Sequence, residues 1–384
     1  MIWGERIIRF EQGAGEGRAP AEAARDLVGA AAEIDGVRVS VTVMSATEAR
    51  VEAEIDASAA DGDVGGARAR LVAVVDNTAR RLAAVERATG PAPPPGTDMT
   101  SPAAELADLT ERAQGLFSVI PAGADRVDDL RLAVVCIDLT TLEGDDTRGR
   151  VRALCAQAVR PDPCDASVGP VAAVCLYPSL IPLAVELTAG TGVAVASVAG
   201  AFPSGLSAPG VKLADIESAL AAGANEIDIV LDRSAFLDGR LGEAADEVAA
   251  ARAATAAAGA HLKVILEVGE LGTPAAITAA ARLAMDAGAD FIKTSTGKAK
   301  TSATPETVLV MAEAIAAHEA ETGRAVGLKV AGGVRTADQA LGYLSIVRSV
   351  LGEAWLTPER FRFGASGLLG SLLTDLAAAE LAGP

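Results

Sequence analysis

A (β/α)8 (TIM) barrel preceded by a small α+β module is the fold class that this 384-residue sequence predicts, and three observations carry it. From Leu132 onward, eight β-rich apolar segments alternate with Ala/Leu-rich helical ones at intervals of roughly 30 residues, the rhythm of repeated βα units. Several helical stretches stop at a glycine, as at Ala189-Gly190, Ala222-Gly223, Ala258-Gly259, Ala287-Gly288 and Thr322-Gly323, where a helix C-terminus favours that residue. Five prolines within 88–103 read as an extended linker that sets residues 1–87 apart from 104–384. A doubly wound sheet is the alternative, but its first turn would carry a glycine-rich GxGxxG, and Asp138-Leu-Thr-Thr-Leu142 occupies that place.

The N-terminal module opens with a strand near 6–10, followed by a helix over 21–34. Val37, Val39, Val41 and Val43 then alternate with Arg38, Ser40, Thr42 and Met44, the period of a half-buried strand. The stretch 50–56 repeats the pattern, with Val51 and Ile55 on one face and Arg50, Glu52, Glu54 and Asp56 on the other. A helix over about 64–87 closes a βαββα unit. It contains no His, Cys or Lys, so its reading is a packing or oligomerisation unit, with regulatory ligand binding as the alternative. In the second part the strands fall at 132–140, 171–178, 192–199, 226–232, 261–268, 290–296, 325–331 and 361–365.

Composition excludes several function classes. The net charge of −18, with no lysine or arginine run of five or more, argues against nucleic acid as a partner and admits an anionic ligand only through a locally positive pocket. Two histidines, His261 and His318, are too few and too far apart for the usual zinc clusters, so metal-assisted chemistry is not expected, carboxylates being the one remaining route to it; no cofactor is expected either. Cys136, Cys155, Cys164 and Cys175 contain no CxxC pair and read as reduced thiols. No apolar run approaches the ~18 residues of a membrane span, and the first ten residues carry Glu5, Arg6 and Arg9 where a signal peptide needs an apolar stretch. A cytoplasmic protein with no membrane partner is the expectation, and assembly into a homo-oligomer stays open.

Only six of the 33 cations are lysines: Lys212, Lys263, Lys293, Lys298, Lys300 and Lys329. Each is therefore worth placing, because a deprotonatable amine is what arginine cannot supply. In a barrel the site lies at the C-terminal ends of the strands, so polar residues that interrupt an apolar strand are the candidates. The sixth strand places Lys293 in Asp290-Phe-Ile-Lys293-Thr-Ser-Thr-Gly-Lys298, and the seventh places Lys329 in Gly327-Leu-Lys329-Val. Adjacent strands lie ~4.8 Å apart, so two inward ammonium groups there would push one another's pKa down, which suits a nucleophilic amine that forms a Schiff base. Asp228, on the fourth strand, is placed to face Lys293 across the interior; it either neutralises a lysine or moves a proton, and position alone leaves both open. Lys263 on the fifth strand is placed to balance Asp228 or Asp138, while Lys212 and Lys300 read as surface cations. Asp138, Thr140, Cys175 and Lys263 complete the candidate substrate pocket. The turns at Gly332-Gly333 and Gly364-Ala365-Ser366 follow the seventh and eighth strands, where barrels commonly hold a phosphate on backbone N–H groups and a helix N-terminus. Gly297, Lys298 and Arg335 lie beside them, and for the two cations ordinary solvated charge is the alternative.

The motifs FIKTSTGK (291–298), GLKVAGGVRT (327–336), NEIDIVLD (225–232), LKVILEVGEL (262–271), CIDLTTL (136–142) and FRFGASGLL (361–369) together resemble the deoxyribose-phosphate aldolases, over about 132–376. The resemblance implies metal-independent, reversible cleavage of 2-deoxy-D-ribose 5-phosphate to D-glyceraldehyde 3-phosphate and acetaldehyde. It implies Lys293 as the Schiff-base residue, Lys329 as perturber of its pKa and Asp228 as proton shuttle. It also implies Gly332, Gly333, Gly364 and Ser366 as the phosphate cradle. Val330, Gly367 and Val268 depart from the common pattern of that family, and Gly367 removes a serine hydroxyl from the phosphate side. Residues 1–130 have no counterpart in its common form.

Overall fold

The computed structural model describes residues 2–9, 32–34, 37–45, 48–55 and 102–382. Strands β1 (Ile2–Arg9), β2 (Ala32–Ile34), β3 (Val37–Ser45) and β4 (Glu48–Ile55) form an antiparallel sheet in the order β1-β4-β3-β2. Val37 lies opposite Ile55, Val39 opposite Ala53 and Val41 opposite Val51, while Arg38 lies opposite Glu54 and Ser40 opposite Glu52. Residues 32–34, expected to end the 21–34 helix, instead pair as a strand with β3; the alternation Ala32-Glu33-Ile34 fits a strand's period of two as well as a helix. The rest of that stretch and the 64–87 helix lie outside the described residues.

Helix α1 (Pro102–Phe117) begins within the proline-rich stretch, with Pro102 as its first residue, where proline is tolerated. Helix α2 (Gly123–Val135) leads into β5 (Ile137–Thr140). The first barrel strand is therefore shorter than the expected 132–140. Leu130, Ala133 and Val134 are buried at the i, i+3, i+4 spacing of a helix, and a short apolar run does not by itself distinguish that from a strand. The units that follow are α3 (Arg148–Val159), β6 (Ala173–Leu176), α4 (Ile181–Thr188), β7 (Ala194–Val198), α5 (Pro209–Ala221) and β8 (Glu226–Val230). Then come α6 (Arg233–Leu237), α7 (Leu241–Ala257), β9 (His261–Ile265), α8 (Val268–Leu271), α9 (Pro274–Asp286) and β10 (Phe291–Lys293). The last are α10 (Pro305–Thr322), β11 (Gly327–Ala331), α11 (Ala337–Leu351), β12 (Phe361–Ala365) and α12 (Leu368–Ala382). The parallel strands β5 to β12 pair in sequence order and close on themselves, an eight-stranded barrel ringed by helices. The five glycines expected to stop helices all take positive φ, from 68° to 108°. At Gly288 a side chain is excluded twice over, because a Cβ would also lie 2.9 Å from Arg252 Cγ.

Alternation along each strand divides the core in two. Ile137, Leu139, Val174, Val195, Ile227, Leu262, Val264, Ile292, Leu328, Val330, Phe361 and Phe363 join the shell between strands and helices. The other face points into the barrel, and its two halves differ in chemistry. On β6 and β7 it carries the small residues Ala173, Cys175, Ala196 and Val198, which cluster with Leu142, Tyr177 and Phe202. On β5 and β8 to β12 it carries Asp138, Glu226, Asp228, Lys263, Lys293, Lys329 and Arg362. Lys212, expected at the surface, is buried on α5: its ammonium donates to the Gly205 carbonyl at 3.0 Å and pairs with Glu247. Among the described residues no helix is long and apolar enough to cross a membrane.

Candidate active site

Lys293 ends β10, and Lys329 lies beside it in register on β11. Both point inward at Asp228: Lys293 Nζ donates to Asp228 Oδ2 at 2.9 Å, and Lys329 Nζ donates to the same oxygen at 2.8 Å. Lys329 also reaches Asp138 Oδ2, at 2.5 Å. Lys263 Nζ donates to Asp228 Oδ1 at 3.2 Å, lies 3.6 Å from Asp138 Oδ2 and contacts Glu226 closely. Arg362 bridges the remaining carboxylates, with Nη1 on Asp138 Oδ1 at 2.5 Å and Nη2 on Glu226 Oε1 at 2.9 Å. The residues come from five neighbouring strands and β5, so only a closed barrel brings them together.

None of these seven side chains is more than 7% exposed, and they comprise four cationic types and three carboxylates. A buried charge without a partner costs several kcal/mol, so the network is best balanced when one amine is neutral. The pairing shows which. Lys329, Lys263 and Arg362 each meet two or more carboxylates, whereas Lys293 has one oxygen of Asp228, and shares it.

Proton affinities follow the same division. Burial, helped by the Lys329 ammonium, pushes the Lys293 amine below the usual lysine range, against the pull of Asp228. Burial acts on Lys329 in the same direction, but Asp138 and Asp228 outweigh it and hold its amine above that range. The mutual lowering expected from the sequence thus falls on Lys293 alone, since Lys329 has a second carboxylate, Asp138, beside the Asp228 that the two lysines share. Burial would raise the carboxyl of Asp228, but Lys263, Lys293 and Lys329 hold it well below its ordinary value. Asp138 is likewise lowered, by Lys329, Arg362 and Lys263 against burial, and Glu226 by Lys263 and Arg362. Lys263 remains protonated, because Asp228, Glu226 and Asp138 overcome its burial. The result is a weakly basic amine next to a carboxylate fixed in its ionised form, an arrangement suited to carbonyl addition and proton transfer.

The other expected residues gather around this centre. Thr140 is half-buried and donates to the Asp138 carbonyl at 2.8 Å, opposite Cys175 in register. Burial pushes the Cys175 thiol up, so it is a neutral wall and not a second nucleophile. A Cβ at Gly364 would lie 3.0 Å from Lys329 Cε and 2.9 Å from Ala331 Cβ, so this glycine leaves the lysine its path. Gly332 has φ +83°, and a Cβ there would lie 2.5 Å from Ser302 Oγ, which packs the loop after β10 against the turn after β11. Gly297 and Gly333 also take positive φ and face open space, and exposed Ser366 lies two residues before the start of α12. Lys298 is paired with Glu143 at 2.9 Å, and Arg335 is exposed.

Two members of the network, Arg362 and Glu226, were not singled out as site residues from the sequence. The signal was present: Arg362 stands between Phe361 and Phe363, and Glu226 shares the alternation of Asp228, so period two puts both inside. Glu267 and Thr296, bonded to each other just above β9 and β10, were missed as well, and nothing in the local pattern marks that contact. Among the described residues no group of three or more His, Cys, Asp or Glu is arranged to hold a metal ion.

A closed parallel barrel whose interior sets amines against ionised carboxylates fits a (β/α)8 lyase. A family model described as DeoC/LacD family aldolase matches residues 132–349, and the chain belongs to that family. The deoxyribose-phosphate aldolases of Mus musculus and Homo sapiens are each 44% identical over 250 residues, covering 62% of this chain and 78% of theirs. Among solved structures, the tetrameric deoxyribose phosphate aldolase from Aeropyrum pernix superposes with a TM-score of 0.52 at 25% identity, covering 67% of this chain and 99% of that one.

Proposed function

We propose that the chain catalyses the reversible cleavage of 2-deoxy-D-ribose 5-phosphate to D-glyceraldehyde 3-phosphate and acetaldehyde, through a Schiff base on Lys293. The observation that carries the reading is the surplus of one amine in the buried network, resolved at Lys293. As the free amine, Lys293 adds to the C1 aldehyde of the open-chain sugar. The carbinolamine loses water as the Lys329 ammonium, oriented by Asp228, gives a proton to its hydroxyl, leaving an iminium. The iminium then accepts the electron pair of the C2–C3 bond while the C3 hydroxyl gives its proton, through a water, toward Asp228. Glyceraldehyde 3-phosphate leaves, and an enamine of acetaldehyde stays on the lysine. Protonation at C2 and hydrolysis release acetaldehyde and the amine, and the sequence in reverse is an aldol addition.

Asp138 serves this by holding Lys329 in place and charged, and Arg362 by holding Asp138. Gly297, Lys298, Gly332, Gly333, Gly364 and Ser366 would receive the phosphate, on backbone N–H groups and the N-terminus of α12, with Lys298 exchanging Glu143 for it. Thr140, Cys175 and Lys263 line or support the sugar pocket. A cytoplasmic setting and a homo-oligomer fit this role.

Reduction with borohydride in the presence of acetaldehyde, followed by peptide mapping, tests the reading. Ethylation of Lys293 is expected. Label that appears only with dihydroxyacetone phosphate, or none at Lys293, overturns it.

A further inference from the structure

The turn after β9 holds a buried carboxylate that the steps above do not use. Glu267 is 2% exposed and has φ +55°, a left-handed backbone that a residue with a long side chain rarely adopts. From that position its carboxylate reaches Thr296, three residues beyond Lys293. Each carboxylate oxygen lies 3.3 Å from the Thr296 N–H, and one also accepts the Thr296 hydroxyl in a close contact. Thr296 Oγ1 in turn accepts the Lys298 N–H at 3.0 Å, closing a small turn over Gly297, whose φ is +79°. Arg233 Nη1 stands 3.9 Å behind the carboxylate, with its Nε on Glu270 at 2.8 Å.

The same turn supports the loop again a few residues on. A Cβ at Gly269 would lie 2.3 Å from the Thr301 carbonyl oxygen, so α8 lies flat against that backbone. Both ends of the 296–301 segment therefore rest on the turn after β9, one by hydrogen bonds and one by close packing. Relaxing Glu267 to an ordinary backbone conformation would swing its carboxylate off Thr296.

We propose that Glu267 is a positioning residue that sets the Gly297–Lys298 segment for the substrate's phosphate, and so governs preference for phosphorylated over unphosphorylated sugar; this rests on the function proposed above. The comparison is of wild type, Glu267→Gly and Glu267→Gln, each assayed with 2-deoxyribose 5-phosphate and with 2-deoxyribose. Glycine suits φ +55° and removes the clamp without adding strain, while glutamine keeps an oxygen for Thr296 and carries the test should the glycine variant not fold. In E267G the ratio of kcat/KM for the two sugars falls about tenfold, mainly through KM for the phosphate ester, as expected for losing hydrogen bonds to a charged group. E267Q falls by less. The Lys298 amide exchanges faster with solvent in E267G. A ratio that stays within twofold, an equal loss on both sugars, or unchanged Lys298 exchange overturns the proposal. Acetaldehyde trapping at Lys293 in the wild type judges the underlying reading separately; if that fails, Lys298 exchange alone decides on the clamp.

Discussion

Replacing Lys329 by methionine tests the charge argument where it is most exposed. Lys293 and Lys329 both donate to Asp228 Oδ2, at 2.9 and 2.8 Å, so their nitrogens are at most about 5.7 Å apart. At ~5 Å and an effective dielectric of about 20, two like charges repel by roughly 3 kcal/mol, a little over two decades in proton affinity. K329M removes that repulsion and leaves Asp228 Oδ2 to Lys293 alone. It also leaves three cationic side chains against three carboxylates, a balance that is met with Lys293 protonated. The amine is then trapped as ammonium at neutral pH. The acidic limb of the kcat/KM profile should move about two pH units toward alkaline pH, and activity at pH 7 should fall roughly a hundredfold or more, beyond which loss of the Lys329 proton adds its own cost. Steady-state rates between pH 5 and 10 give the limb, and the pH dependence of borohydride trapping with acetaldehyde reports the amine directly. Asp138 keeps Arg362 at 2.5 Å, so no carboxylate is stranded and the fold should survive, as a thermal melt would show. An acidic limb that stays in place in a folded K329M protein refutes the reasoning.

Two further outcomes follow from the same geometry. Gly364→Ala places a methyl 3.0 Å from Lys329 Cε and 2.9 Å from Ala331 Cβ; overpacking of this kind costs about 1–3 kcal/mol, so a lower melting temperature is expected together with a fall in kcat as Lys329 shifts. Asp138, Glu226 and Asp228 all have lowered carboxyl pKa values in the fold, so their contribution to stability is present above the ordinary carboxylate range and is lost as pH falls through their folded values. Calorimetry should therefore show the melting temperature dropping steadily below about pH 4, and Asp138→Asn should flatten that dependence.

Much of the site was legible because a barrel strand writes its two faces into alternate letters. Asp228 between Ile227 and Ile229, Lys329 between Leu328 and Val330, and Lys293 beside Ile292 each announce an inward polar group, and the scarcity of lysine made two of them conspicuous. Arg362 follows the same rule, but a single arginine is inconspicuous in a chain whose cations are mostly arginine. The ends of elements were harder to read. The apolar run 132–135 belongs to α2 and not to β5, and residues 32–34 belong to a hairpin and not to a helix, since short runs of aliphatic residues satisfy either period. Lys212 looked like a surface cation because its partners, Glu247 and the Gly205 carbonyl, come from other segments.

Sequence alone determined the order of the eight βα units, the inward placement of the amines and carboxylates, and the family resemblance. Tertiary structure alone decided how the charges divide. Burial acts on Lys293 and Lys329 alike, and both neighbour Asp228; only the closure of β12 onto β5 brings Asp138 to Lys329, while Lys293 is left with a single shared oxygen. The pKa of a buried amine is set by partners across the barrel rather than by neighbours in the chain, so which lysine gives up its proton is a property of the closed sheet.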